Sequence, residues 1–255
     1  MIVARSIGEL DLPRHGTIGL VPTMGALHAG HAALFDAARS DCDVLVASIF
    51  VNPTQFSEAA DLMAYPRDLD GDAAFAAAHG VDVVFAPPAD EMYPEGFATW
   101  VEPRGAAEGL ESASRPGHFR GVATVCLKLF NLVRPQIAWF GQKDAQQVAV
   151  VKQLVRDLNV PVEIRVVETA RDHDGIAFSS RNARLTRDER ELARSIPRAL
   201  ETHDAAAARA LLESAGLQPD YVEVADFDRP TLVVAARVGS TRLIDNVPLP
   251  EGARS

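Results

Sequence analysis

Cysteine is scarce in this chain: Cys42 and Cys126 are the only two among 255 residues. They sit in unlike contexts with no C-x-x-C spacing. This argues against a disulfide framework or a cysteine-built metal centre, and two small apolar fillers of a reducing compartment are expected. Long hydrophobic runs are missing as well. No stretch of ~18 apolar residues occurs, so no membrane-spanning segment is expected. The opening Met1-Ile2-Val3-Ala4-Arg5-Ser6 lacks the apolar core of a secretion signal, which sets the expectation of a cytoplasmic protein. Positive charge is in deficit, since 25 Lys and Arg face 35 Asp and Glu for a formal net charge of −10. That balance argues against a broad nucleic-acid surface. A local group of Arg, Lys and His can still oppose the global sign and hold a small anion. Internal repeats and low-complexity linkers are absent. With 47% hydrophobic residues, the chain has the composition of a globular protein that buries a real core.

What is present centres on Pro22-Thr23-Met24-Gly25-Ala26-Leu27-His28-Ala29-Gly30-His31. The apolar run Ile18–Val21 before it reads as a buried strand. Ala33, Leu34, Ala37 and Ala38 after it are spaced for one face of a helix. Two histidines three apart thus sit on a strand-to-helix turn, where backbone N–H groups and the positive end of a helix dipole converge. Such a turn suits a phosphate chain, and histidines there can donate to phosphate oxygens as charge builds up. H-x-G-H in this setting resembles the signature of the nucleotidylyltransferase superfamily.

Strand and helix patterns then alternate. Asp43–Phe50 is apolar almost throughout, as a parallel strand covered on both faces would be. It ends in Val51-Asn52-Pro53-Thr54-Gln55-Phe56. The amides of Asn52 and Gln55 suit a hydroxy-acid ligand just past a strand's carboxyl end, and an ordinary Asn-Pro turn fits the same residues. Asp68, Asp70 and Asp72 open an Ala-rich helix; they are compatible with Mg²⁺ near phosphates and equally with a solvated acidic helix start. Val81–Ala86 reads as a strand, and Thr99–Val101 as another short one. Arg115, His118 and Arg120 lie just ahead of an apolar helix expected over 122–133, a second candidate anion site. Gln136–Phe140 is a strand, Gly141-Gln142-Lys143-Asp144 a turn and 145–158 an amphipathic helix. Lys143 can meet a phosphate as a point charge or simply be solvated. Asp144 and Gln147 fall near the first turn, within reach of ligand hydroxyls. Pro161–Val167 is the last strand of this alternation. The expected class is α/β: a doubly wound, mostly parallel, Rossmann-like sheet over 1–168. Residues 169–255 read as a smaller α+β C-terminal domain. It has a capping box at Thr186–Glu189, a helix over 204–215, and three short strands at 220–224, 232–238 and 241–245.

Four blocks occur in a fixed order: P-T-M-G-A-L-H-A-G-H (22–31), F-V-N-P-T-Q-F (50–56), F-G-Q-K-D-A-Q-Q (140–147) and S-S-R-N (179–182). R-P-G-H-F-R-G-V lies between the second and third, and T-R-L-I-D-N (241–246) follows the last. Together they resemble the pantothenate synthetase (pantoate–β-alanine ligase) family over nearly the whole chain. The resemblance implies an ATP- and Mg²⁺-dependent ligase joining D-pantoate to β-alanine through a pantoyl-adenylate. It also implies a homodimer and small-molecule partners only. By position it implies that Met24, Gly25, Ala26, Leu27, His28, Ala29, Gly30 and His31 line the ATP site, with His28 and His31 on the triphosphate and His31 as proton donor. Gly141, Gln142, Lys143 and Asp144 wrap the nucleotide, joined by Ala170, Phe178, Ser179, Ser180 and Arg181. His28, His31, Lys143 and Arg181 then form the catalytic set. Gln55, with Asn52 beside it, and Gln147 hold pantoate, and Asp72 is the expected metal ligand. Two positions depart from the family pattern: Phe178 stands where Met or Leu is frequent, and Gln142 where Glu is. Another H-x-G-H nucleotidylyltransferase, a transfer-RNA synthetase fragment and a non-catalytic ATP-sensing module remain as alternatives. The nucleotidylyltransferases lack the N-P-T-Q-F and R-P-G-H-F-R blocks.

Overall fold

The computed structural model describes residues 1–13 and 15–250. The chain forms two compact units: Met1–Phe140 with Gln146–Val167, and Gly141–Ala145 with the chain from Glu168 on. In the first unit β1 (Ile2–Ala4) and β2 (Ile18–Thr23) precede α1 (Ala29–Arg39) and β3 (Val44–Ile49). Then come α2 (Ala59–Met63), α3 (Leu69–Ala78), β4 (Val83–Phe85), α4 (Ala89–Met92), α5 (Glu111–Ser114) and α6 (His118–Val133). Last are β5 (Ile137–Gly141), α7 (Ala145–Asp157) and β6 (Glu163–Val167). The strand order is β1-β4-β3-β2-β5-β6, with β2 parallel to both β3 and β5.

Period-two alternation divides the apolar strands between two cores. Leu20, Val46, Phe85, Ala138 and Phe140 face the helix residues Val122, Phe130, Val151 and Leu154. Val21, Leu45, Ala47, Val84 and Trp139 face Leu34, Phe35 and Ala38 of α1. Both faces are covered, which is why the strands read as unbroken apolar runs. The order runs outward through β3 and β4 on one side of β2 and through β5 and β6 on the other. The carboxyl ends of β2, β3 and β5 therefore meet at a topological switch point, where sheets of this kind bind ligands.

Besides the short helices α2, α4 and α5, which were not expected, three elements differ from the sequence reading. The first strand is β1, which pairs with β4. Thr99–Val101 is not a strand: Trp100 stacks on Tyr93, and the Val101 N–H donates to Thr124 Oγ1 at 3.1 Å. α6 starts four residues early, at His118.

The second unit carries α8 (Arg187–Ala193), α9 (Ser195–Leu200), α10 (Ala205–Ser214) and the strands β7 (Pro219–Asp226), β8 (Pro230–Val238) and β9 (Thr241–Pro248). The strands form an antiparallel sheet in chain order. Its core joins Ile196, Leu200 and Leu212 to Leu232, Val234 and Ala236. The Thr186 capping box is formed in both directions.

Candidate active site

At the end of β2 the chain turns through Gly25 and Ala26, both at positive φ (79° and 51°). Gly25 is required for space as well as conformation, because a Cβ there would lie 2.7 Å from Asp72 Oδ2. The Asp72 carboxylate, 6% exposed, accepts the Ala26 N–H at 2.9 Å and the Leu27 N–H at 2.7 Å. Both carboxylate oxygens therefore brace the turn. The grouping of three potential metal ligands found among the described residues is Asp172, His173 and Asp174. Arg190 bonds both of those carboxylates.

His28 is the N-cap of α1, and with His31 it forms a capping box of two imidazoles. The Gly30 N–H donates to His28 Nδ1 at 3.1 Å, and the His28 N–H to His31 Nδ1 at 3.2 Å. An Nδ1 that accepts carries no proton, so each neutral ring keeps its proton on Nε2. The ring centroids are 4.2 Å apart. The expected cradle of backbone donors is thus revised. The N–H groups of Gly25, Ala26, Leu27, His28 and Gly30 all bond within the protein. The outward chemistry of this turn belongs to the imidazoles.

Past β3, Asn52 caps the 3₁₀ turn Pro53–Gln55. Asn52 is 1% exposed, and its donors and acceptor are all engaged. Nδ2 donates to Gln55 Oε1 at 2.9 Å and to the Gly121 carbonyl at 3.2 Å. Oδ1 accepts from Thr54 Oγ1 and from Tyr93 Oη, each at 2.9 Å. Asn52 thus orients Gln55. With Oε1 held by a donor, Gln55 presents Nε2, which lies 3.1 Å from Met24 Sδ. That contact brings the β2 and β3 stations together. The second candidate anion site also turns inward. His118 Nδ1–H donates to the Gln55 carbonyl at 2.9 Å, and Arg115 Nη1 lies 3.2 Å from His118 Nε2. Arg120 stacks 4.3 Å from the Trp100 ring centroid. Gln147 is half-buried on the first turn of α7, the helix that follows β5.

In the second unit, Lys143, Ser179, Arg181, Asn182 and Asp245 line one pocket. Lys143 Nζ lies 3.4 Å from Asp144 Oδ1. Ser179 caps the 3₁₀ turn Ser180–Arg184 by accepting the Arg181 N–H at 3.2 Å, and the Phe178 N–H donates to the Ala170 carbonyl at 3.0 Å. Gln142 donates its side-chain amide to Asn246 at 3.1 Å. Burial pushes the Asp245 carboxyl above the usual carboxylate range, while the Arg171 guanidinium works against that rise. The residues that the sequence did not single out for the site are braces: Tyr93, Gly121 and Asn246. Gly121 and Asn246 lie in the R-P-G-H-F-R-G-V and T-R-L-I-D-N blocks, which marked the stretch without giving these residues a role, and half-buried Tyr93 lay in no block.

Comparison with known proteins identifies the family. Residues 4–248 match the family model described as Pantoate-beta-alanine ligase. The pantothenate synthetase of Corynebacterium efficiens is 51% identical over 284 residues, covering 98% of this chain and 99% of the relative. That of Moorella thermoacetica is 51% identical, covering 91% of each. The crystal structure of pantothenate synthetase from Thermus thermophilus superposes with a TM-score of 0.90 at 44% identity, covering 97% of this chain and 99% of the other. The pantoate-β-alanine ligase of Francisella tularensis, described as complexed with β-γ ATP and β-alanine, gives 0.89 at 38% identity, covering 97% of each chain. On the strength of a model match across nearly its full length and relatives at half identity, the chain belongs to the pantoate–β-alanine ligase family.

Proposed function

We propose that this protein condenses D-pantoate with β-alanine at the expense of ATP, through a pantoyl-adenylate. A carboxylate is a poor acyl donor because its leaving group would be oxide. Attack by the pantoate carboxylate oxygen on the α-phosphorus forms one P–O bond and breaks the bond to the β-phosphate bridge, releasing pyrophosphate. The amine of β-alanine then attacks the acyl carbon, the acyl C–O bond breaks, AMP leaves, and the new amide nitrogen sheds its extra proton. In this reading Met24–His31, Gly141–Asp144, Ala170 and Phe178–Arg181 contact the nucleotide. Gln55 and Gln147 hold pantoate, with Asn52 positioning Gln55. His28 and His31 give directional Nε2–H donors to phosphate oxygens, while Lys143 and Arg181 supply charge. Losing one such donor costs about 2.7–4 kcal/mol of barrier. Magnesium, when bound, would offset charge on the phosphate oxygens of ATP.

The observation that carries the reading is the amide of Gln55, oriented by Asn52 and in contact with Met24. A module that only senses ATP has no use for such a group beside its nucleotide turn. The test is exchange of labelled pyrophosphate into ATP, followed by AMP release on adding β-alanine. Exchange that requires pantoate is expected; exchange that proceeds equally without it refutes the reading. As in the family, we propose a cytoplasmic homodimer, and light scattering at twice the chain mass checks the dimer.

A further inference from the structure

The block Thr241–Asn246 is distinctive in sequence, yet none of its residues takes part in the reaction as proposed. Its last two residues are buried, Asp245 at 5% exposure and Asn246 at 3%. Asn246 Nδ2 donates to the carbonyls of Gln142 at 2.9 Å and Lys143 at 2.8 Å, and its Oδ1 accepts from Gln142 Nε2 at 3.1 Å. Carbonyls only accept, so the amide has one orientation that satisfies all three bonds. Asn246 is itself held. Its N–H donates to Asp245 Oδ1 at 2.8 Å, and that carboxylate takes the Arg171 guanidinium at 2.6 and 3.0 Å. The turn Gln142–Asp144 is thus pinned to β9 and groups with the second unit, although most of β5 and of α7 groups with the first. Lys143 then lines a pocket shared with Ser179 and Arg181.

We propose that Asn246 is a positioning residue for Lys143, fixing the backbone of Gln142 and Lys143 so that the ammonium is presented from the same block as Arg181. The proposal rests on the reading of Lys143 as a phosphate contact. A lysine ends in a point charge on a flexible four-carbon stem, so it is aimed only as well as its Cα is held. Asn246 touches no substrate in this scheme, and its effect must pass through Lys143.

A double-mutant cycle on the full chain tests this. Pantoate-dependent pyrophosphate exchange is measured for Lys143→Ala, Asn246→Ala and the double variant, with KM for each substrate. Lys143→Ala is expected to lower kcat by roughly 10²–10³-fold. Asn246→Ala is expected to lower kcat by about 10–100-fold, as for a misplacement near 1 Å, with KM for pantoate unchanged. In the Lys143→Ala background the Asn246 change should add less than about 3-fold, because the two act as one unit. Asn246→Asp keeps the shape but puts a carboxylate oxygen in place of Nδ2, facing both carbonyls, so it should not rescue; a purely space-filling role would be rescued. Should Asn246→Ala fail to melt as a folded protein, Asn246→Ser carries the same cycle. Wild-type kcat in Asn246→Ala, an undiminished loss in the Lys143→Ala background, or rescue by Asp overturns the proposal while leaving the Lys143 reading intact. A Lys143→Ala variant with wild-type kcat overturns both and is told apart by that single variant.

Discussion

Gly121→Ala isolates the geometry on which pantoate binding is proposed to depend. Gly121 lies on the first turns of α6, where that helix meets the Pro53–Gln55 turn. A Cβ at position 121 would sit 2.6 Å from the Thr54 carbonyl oxygen, 2.7 Å from its carbon and 2.8 Å from the Gln55 nitrogen. These are backbone atoms, and no side-chain rotamer relieves them. Reaching an ordinary 3.4 Å contact from 2.6 Å requires helix and turn to part by the difference, 0.8 Å. Two effects oppose each other in stability. Alanine gains about 1 kcal/mol over glycine inside a helix, and overpacking costs about 1–3 kcal/mol. The net loss is therefore about 0–2 kcal/mol, and the protein should fold. Function is less forgiving. Gln55 is tied to this contact three times: through Asn52 to the Gly121 carbonyl, and through its own carbonyl to His118 and Arg115. A displacement approaching 1 Å in a group that orients substrate costs up to about 10²-fold. The expected result is a pantoate KM raised about 10–100-fold, with ATP affinity by calorimetry close to wild type. A pantoate KM within about twofold of wild type, in a variant that melts normally, would show that this close approach does not set Gln55.

Four further outcomes follow from the same geometry. His28→Asn keeps an oxygen able to cap α1 but removes an imidazole, so chemical denaturation should shift by under about 1 kcal/mol while kcat falls roughly 10²–10³-fold; unchanged kcat would make the ring a cap only. Asp72→Asn leaves one of the Ala26 and Leu27 N–H groups facing a donor, which should cost about 1–3 kcal/mol in urea unfolding. If Asp72 braces the turn rather than holding metal, the magnesium concentration for half-maximal exchange stays at the wild-type value. Burial pushes the Cys126 thiol up to about 12, so native protein at pH 8 should resist alkylation there, and mass spectrometry should find Cys126 labelled only after unfolding. Burial raises the Asp174 carboxyl, but the hydrogen bond from Arg190 and the charges of His173, Arg190 and Arg194 outweigh it and hold the group below its usual value. A lowered acid stabilises the fold above the ordinary value of about 3.9 and loses that contribution as pH falls through the lowered one. Asp174→Asn should flatten this acid limb of the melting temperature.

The sheet was legible because both its faces are covered: runs such as Leu45–Ala47 and Val83–Phe85 leave no polar face to confuse with a loop. β1 was not, since three residues, Ile2–Ala4, have no periodicity of their own and are strand only by pairing with β4. Thr99–Val101 failed the other way. Thr, Trp and Val have strand propensity, but propensity reports fit to a pleated surface, and no neighbouring strand is offered. At the site, residue identity predicted where polar groups gather and not which way they face. Asn52, His118 and Asp72 carry the donors and acceptors a ligand would need, and the structure spends them on Gln55, Gly121 and the Ala26–Leu27 turn. A brace and a ligand group require the same chemistry at the same place in the chain. The deciding quantity is whether each hydrogen-bonding atom is already matched, and that depends on helices remote in sequence, above all α3 and α6.

Matching atoms one by one also separates direction from charge. A doubly protonated imidazole has an N–H at both nitrogens and cannot accept. To take up a proton at Nδ1, His28 would have to give up the Gly30 N–H, and His31 the His28 N–H. The capping box therefore keeps Nδ1 of each ring as an acceptor, so Nε2 is the nitrogen that can donate in a fixed direction. The formal charge in the proposed scheme comes instead from Lys143 and Arg181, both in the second unit. The charge on a transferring phosphoryl group is spread over several oxygens, so oriented donors and point charges are not interchangeable there. Replacing a histidine should chiefly lower kcat with little effect on salt dependence. Replacing Lys143 or Arg181 should also weaken ATP binding more steeply at low ionic strength than at high, where exposed charges are screened. Titrating ATP affinity against salt in the two classes of variant separates them, and identical salt slopes would refute the division.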